Sequence, residues 1–276
     1  MVMHSVAHYL ADRNKTLRRL REAVVEKVGT LNIEDWRLKR YNLPITKDGV
    51  ENMSKVYFND ADFPEMEKNF VLWVDIMGTK NNMSSSVRTS SIFICKLHVA
   101  IMQAKTEKMH VYPMMDGAYV TAKDEKDMSS FIKKLFYSLG DTLIEEENDF
   151  HRFLIKGALS YGPVLHGNTI PDTCSKCFEE NKNYVDSILL GIPMIQACKG
   201  EKDAPPFGIY CDESVRTASQ EFAHRWYKWF SKTKAPKVSR AVQSYFDYSR
   251  EHYFELDYPI EKIKEHEEKA RQYFRM

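Results

Sequence analysis

The stretch Asn69-Phe70-Val71-Leu72-Trp73-Val74-Asp75 decides the fold. Its continuous apolar run, too short for a helix of ordinary length, predicts a strand buried on both faces. The run closes on an acid, and the turn Gly78-Thr79-Lys80-Asn81-Asn82 follows. An acid ending such a strand is costly unless it is paired or bound to a metal.

Outward from this strand the pattern alternates. A helix is predicted over about Val87 to Ala104. Two short apolar runs, Met109 to Met115 and Ala118 to Ala122, flank Asp116-Gly117, a strong hairpin signal. A second helix is predicted from about Met128 to Glu146, with Phe131, Ile132, Leu135, Phe136 and Leu139 on one face. Arg152 to Ser160 and Pro163 to His166 read as a strand pair about Tyr161-Gly162. A helix is expected to begin near Pro193, and Phe207 to Cys211 reads as a last short strand. The order strand, helix, hairpin, helix, strand pair, helix, strand predicts an α+β sandwich: a mainly antiparallel sheet with helices on one face.

The ends read differently. Leu17, Leu20, Val24 and Val28 predict a helix whose apolar face must pack on the core or on a second subunit. Residues 41 to 64 read as a polar connection. The tail from Ser214 reads as helical and charged, with Trp226, Tyr227, Trp229 and Phe230 packing in the core or a dimer rather than stacking on nucleic acid. The division expected is a helical extension over 1–66, a central α+β domain over 67–215 and a C-terminal helical extension over 216–276.

Composition excludes several classes. Lys plus Arg number 40 against 39 Asp plus Glu, a net charge of +1, which argues against a general polyanion binder or a polybasic membrane anchor. The 43% hydrophobic content is globular rather than disordered. No apolar run approaches the roughly 20 residues that span a bilayer, and the opening lacks the pattern of a secretory leader. Five cysteines without a paired framework point to a reducing compartment, the cytoplasm. Cys174 and Cys177 form a C-x-x-C in a polar stretch without a second pair, and read as ordinary thiols.

Two aspartates stand out. Asp75 ends the apolar strand, and Asp116 lies at the hairpin tip. In a ferredoxin-like order those strands are neighbours, so both carboxylates meet at one rim of the sheet, a donor set that suits Mg²⁺ or Mn²⁺. Two such ions can hold a triphosphate and activate a hydroxyl. The loop over 76–82 offers backbone N–H groups for phosphate oxygens. Asp beside Gly is also ordinary turn chemistry, so Asp116 alone carries little weight. His151 and His166 read as facing the core or solvent, and Lys80 and Lys156 as solvated lysines, with contact to phosphate oxygens the alternative.

FVLWVDIMGTKN, MHVYPMMDGAYVTA, RFLIKGALSYGPVLHGN and GIPMIQACKGE occur in the order and spacing of class III nucleotide cyclase catalytic domains. About Asn69 to Val215 resembles that family. The resemblance implies a ferredoxin-like class III cyclase sandwich, in which Asp75 and Asp116 match the two metal-binding aspartates and Ile76 matches a residue whose backbone carbonyl binds metal. Gly78 and Thr79 fall in the phosphate-binding turn. It also implies two Mn²⁺ or Mg²⁺ ions per site and a head-to-tail homodimer with sites at the subunit interface.

The departures from the family narrow the reading. The family's transition-state Asn and Arg fall on Ile195, which cannot hydrogen-bond, and Lys199, which keeps a charge without the bidentate fork. Its base-reading Lys and Asp positions fall on Tyr112 and Ile188, and the guanine-reading Glu and Cys are also absent. A bulky Tyr112 narrows the pocket toward a smaller ring. The chain resembles, more narrowly, the bacterial pyrimidine cyclases of the Pycsar antiphage system. That resemblance implies UTP or CTP as substrate, a cyclic UMP or cyclic CMP product and a separate responding effector, with no membrane or nucleic-acid partner. An inactive nucleotide-binding or dimerisation module and a purine cyclase are the alternatives.

Overall fold

The computed structural model describes residues 57–78 and 86–275; the amphipathic segment about Leu17 to Val28, Thr79 and Lys80 lie outside them. The strand read from NFVLWVD is β1, Glu67–Ile76. Phe70, Leu72, Val74 and Ile76 face the main core, while Val71 and Trp73 enter a smaller cluster on the other face. A strand buried on both sides needs apolar residues without alternation, which is why the run is continuous.

Helix α1 (Val87–Ala104) starts where the Ser86 side chain accepts from the Thr89 N–H, and it buries Phe93, Leu97, Ala100, Ile101 and Ala104. Strands β2 (His110–Met114) and β3 (Gly117–Ala122) form the hairpin. Its two-residue turn is Met115-Asp116 rather than Asp116-Gly117, with Met115 at φ +50°. Helix α2 (Glu125–Glu145) is capped by Asp124, which accepts from the N–H groups of Lys126 and Asp127. Its apolar stripe, Phe131, Ile132, Leu135, Phe136 and Leu139, is buried as its spacing predicts.

Strand β4 (Ile155–His166) corrects the expected strand pair. Tyr161-Gly162 does not reverse the chain, because β1 pairs with β4 continuously from Ile76↔Ile155 to Glu67↔Val164. Gly162 is passed at φ +155°, a conformation that costs glycine little. Two short helices, α3 (Lys176–Glu180) and α4 (Lys182–Asp186), lead to β5 (Leu189–Leu190), which pairs with the end of β4. Helix α5 (Ile192–Gly200) carries Pro193 in its first turn, as predicted, and packs over β1 and β4. Strand β6 (Gly208–Cys211) runs parallel to β4.

Beyond it lie α6 (Glu213–Ala218), β7 (Trp226–Tyr227), α7 (Ala235–Glu251) and α8 (Ile260–Phe274). The tail is therefore not helical throughout: Trp226 and Tyr227 add an antiparallel strand to β6. Trp229 is buried against Phe136 and Phe207, and its indole N–H donates to the Phe207 carbonyl at 3.1 Å. Helices α7 and α8 join the same core through Val238, Val242, Phe246, Ile263 and Tyr273.

The result is a mixed α+β fold with a seven-stranded, mostly antiparallel sheet in the order β2-β3-β1-β4-β6-β7, and β5 attached to β4. Helices α1, α2 and α7 pack with the main core, and α5 covers part of the opposite face.

Candidate active site

Sheet order brings the two aspartates together. β3 and β4 flank β1, so Asp75 lies opposite Gly117 on one side and Lys156 on the other. Asp116, one residue before Gly117, is thereby held beside Asp75. Gly117 makes this approach possible: a Cβ there would sit 2.5 Å from the Val74 carbonyl oxygen and 2.8 Å from the Trp73 ring. The indole of Trp73 in turn packs on Tyr119 at 4.6 Å between centroids.

Asp75 and Asp116 open into a cavity of about 380 Å³, together with Ile76, Met77, Gly78, Lys156 and Glu201. An Asp75 carboxylate oxygen accepts the Ile76 N–H at 2.8 Å. Its pKa is nevertheless raised to about 7, first by burial and then by the negative charges of Asp116 and Glu201. Lys156 pulls the other way, but its ammonium is 2.6 Å from Glu201 and largely committed to it. Lys156, read from the sequence as solvated or phosphate-reaching, is thus a buried ion-pair partner.

The donor set fits a divalent hard cation. Two carboxylates, all oxygen donors, line one cavity where an excess of negative charge lacks full compensation. Among the described residues no group of three or more His, Cys, Asp or Glu forms a metal cluster by side chains alone. A backbone carbonyl, solvent or substrate oxygens would complete the set.

The other predicted residues form a second locality. Tyr112 is buried on β2, and its hydroxyl lies 2.6 Å from His166 Nδ1 at the end of β4. Burial raises the Tyr112 pKa to about 12 and lowers that of His166 to about 4. The pair is therefore neutral at pH 7. The next residue after His166, Gly167, donates its N–H to the Ile188 carbonyl at 2.8 Å, so Tyr112 and Ile188 belong to one neighbourhood. Ile195 and Lys199 lie exposed on α5 and do not line the aspartate cavity. Gly78 does line it, at φ +73° in the turn after β1.

Sequence reasoning missed the opposite wall. Tyr245 of α7, Leu256, Tyr258 and Pro259 of the connection, and Lys262 and His266 of α8 line the same cavity. No local signal marks them, because they reach the site only through the packing of α7 and α8. His166 was visible in the sequence, but its bond to Tyr112 spans 54 residues and needs the fold.

No protein-family model matches the chain, and no curated protein matches it. Among solved structures it is similar to a dimeric guanylyl cyclase domain of a RhoGC fusion protein from the aquatic fungus Blastocladiella emersonii. The identity is 15%, over 55% of this chain and 82% of that one, with a TM-score of 0.41. A bacterial light-regulated adenylyl cyclase is similar at 14% identity, over 74% of this chain and 58% of that one, with a TM-score of 0.46. A guanylate cyclase domain from Catenaria anguillulae in complex with GTP is similar at 15% identity, over 55% and 81%, with a TM-score of 0.40. No helix among the described residues is long and apolar enough to cross a membrane.

Proposed function

We propose that this protein is a homodimeric nucleotide cyclase that converts UTP or CTP to the 3′,5′-cyclic monophosphate and pyrophosphate. The observation that carries the reading is the convergence of Asp75 and Asp116, from separate elements, on one cavity at the rim of the sheet. The four ordered motifs that resemble class III cyclases support the same reading. In the reaction the ribose 3′-oxygen attacks the α-phosphorus, its proton is lost, and pyrophosphate leaves.

Asp75, Asp116 and the Ile76 carbonyl would hold Mn²⁺ or Mg²⁺. Such an ion, when bound, supplies charge neutralisation on the triphosphate and acidifies the attacking hydroxyl. The backbone of Met77-Gly78 is the candidate cradle for phosphate oxygens. Tyr112, held by His166, would narrow the base site toward a six-membered pyrimidine rather than a purine. Exposed Leu190, Ile192 and Ile195 flank Lys199 around α5, an apolar surface that supports pairing with a second copy. In that dimer Lys199 would meet the triphosphate bound on the partner's aspartates. The cyclic product would act as a messenger for a separate effector, in the manner of the antiphage pyrimidine cyclases.

The test is pyrophosphate release with Mn²⁺ and each of ATP, GTP, CTP and UTP in turn, with the product identified by mass. A cyclic pyrimidine nucleotide is expected. Equal turnover of ATP or GTP would replace the pyrimidine reading with a purine one. Ile195, whose side chain cannot hydrogen-bond, and Lys199, which lacks a bidentate fork, favour one second reading, a nucleotide-binding module without chemistry. Nucleotide binding by a folded dimer with no pyrophosphate from any of the four would establish it.

A further inference from the structure

We propose that the C-terminal helix α8 supplies the polyphosphate contacts of this site from within the same chain, through Lys262 and His266. The inference rests on the nucleoside triphosphate reading above and extends it to a segment that the motif resemblance does not reach. The charge pattern of the cavity leads to it. Asp75, Asp116 and Glu201 occupy one wall, and Lys156, the cation nearest them, is paired to Glu201 at 2.6 Å. Lys199 lies outside the cavity. A triphosphate held over the aspartates needs positive charge at its β- and γ-phosphates, and within the cavity Lys262 is the lysine not buried in an ion pair.

Lys262 is half exposed and its ammonium is 2.8 Å from Glu265, an equally exposed partner on the same helix. Such a surface pair is weak and exchanges readily for a phosphate oxygen, which carries more charge. His266, one turn along α8, lines the cavity beside it, and its Nδ1 lies 2.5 Å from the Tyr258 hydroxyl. Burial and the charges of Lys156, Lys262 and Lys269 lower its pKa to about 4, and burial holds Tyr258 well above its usual range. Both groups are therefore neutral at pH 7. With Tyr258 donating to Nδ1, the ring proton resides on Nε2, and the imidazole becomes an oriented donor. Tyr258 is then a positioning residue for His266.

The probe is inorganic tripolyphosphate with Mn²⁺, titrated into the full chain by calorimetry, so that binding is read without turnover. The wild type is expected to bind. Lys262→Ala should weaken binding by about tenfold, the loss of one charge-assisted contact, and Lys262→Arg should restore most of it. His266→Gln should weaken it by a few-fold, whereas Lys264→Ala, an exposed lysine of α8 outside the cavity, should leave it unchanged. Lys262 is on the surface, so its replacement does not threaten folding. Failure of the wild type to bind, or Lys262→Ala within twofold of it, would overturn the inference. If no nucleotide is cyclised yet Lys262→Ala loses tripolyphosphate, the cyclase reading falls and the polyphosphate site stands. If a cyclic product forms and Lys262→Ala changes neither tripolyphosphate affinity nor KM, the inference falls alone.

Discussion

Replacing Asp75 by Asn should make the metal-free protein more stable while abolishing turnover. Asp75 carries its charge beside Asp116 and Glu201 in a partly buried position, and its carboxyl titrates near 7 instead of near 4. Ionising such a group costs the folded state up to about 4 kcal/mol, and screening by the solvent that reaches it brings the expected figure to about 2 kcal/mol. The folded carboxyl keeps its proton to a higher pH than the unfolded one. Stability from this group is therefore greatest near pH 4, falls as pH rises, and is lowest above 7. Asn retains an oxygen to accept the Ile76 N–H and carries no charge. Urea unfolding at pH 8 in EDTA should show Asp75→Asn more stable by about 2 kcal/mol, a gain that shrinks to nothing by pH 4. Adding Mn²⁺ should stabilise the wild type by mass action and leave the variant unmoved. An Asp75→Asn protein no more stable than wild type at pH 8 in EDTA would refute the argument that these carboxylates repel one another in a desolvated site.

Three further outcomes are expected. His166 titrates near 4 when folded and near 6.5 when unfolded, so its contribution is full above pH 6.5 and lost as pH falls through 4; between pH 7 and pH 5 the wild type should lose about 2 kcal/mol relative to His166→Gln in paired urea titrations. Gly117→Ala should destabilise by about 2–4 kcal/mol, because its methyl group would overlap Val74 and Trp73; a thermal midpoint within 2 °C of wild type, roughly what half a kcal/mol produces, would show that the hairpin relaxes freely. Lys156→Met removes the partner of Glu201 and leaves a third uncompensated carboxylate near Asp75. It should cost about 2 kcal/mol in EDTA at pH 8, and Glu201→Gln in the same chain should recover most of that in a double-mutant cycle.

Much of the fold is local chemistry and was legible. The continuous run of β1, the 3.6-residue stripe of α2 and Pro193 at the start of α5 each carry their structure in residue type and spacing. Tyr161-Gly162 misled because a turn-like dipeptide is tolerated inside a strand when neighbouring strands pair on through it. Met115, at φ +50°, shifted the hairpin turn by one residue, a cost of about 1 kcal/mol that sequence propensity argues against and that pairing of β2 with β3 outweighs. Trp226-Tyr227 became strand because β6 left an edge to fill.

The sequence by itself determined which side chains are available: an acid at the end of a buried strand, an acid in a hairpin turn, and a tyrosine four residues before that second acid. It determined the adjacency of Asp75 and Asp116 only as far as strand order could be anticipated from the hairpin. What surrounds them was decided by tertiary structure. Glu201 claims Lys156, His166 takes the Tyr112 hydroxyl, and α8 brings Lys262 and His266 to the cavity. Each is a contact between residues far apart in the chain, made by side chains whose local patterns look like ordinary surface. Spacing along a sequence encodes the face of a helix or strand; which faces then meet depends on how the whole core packs.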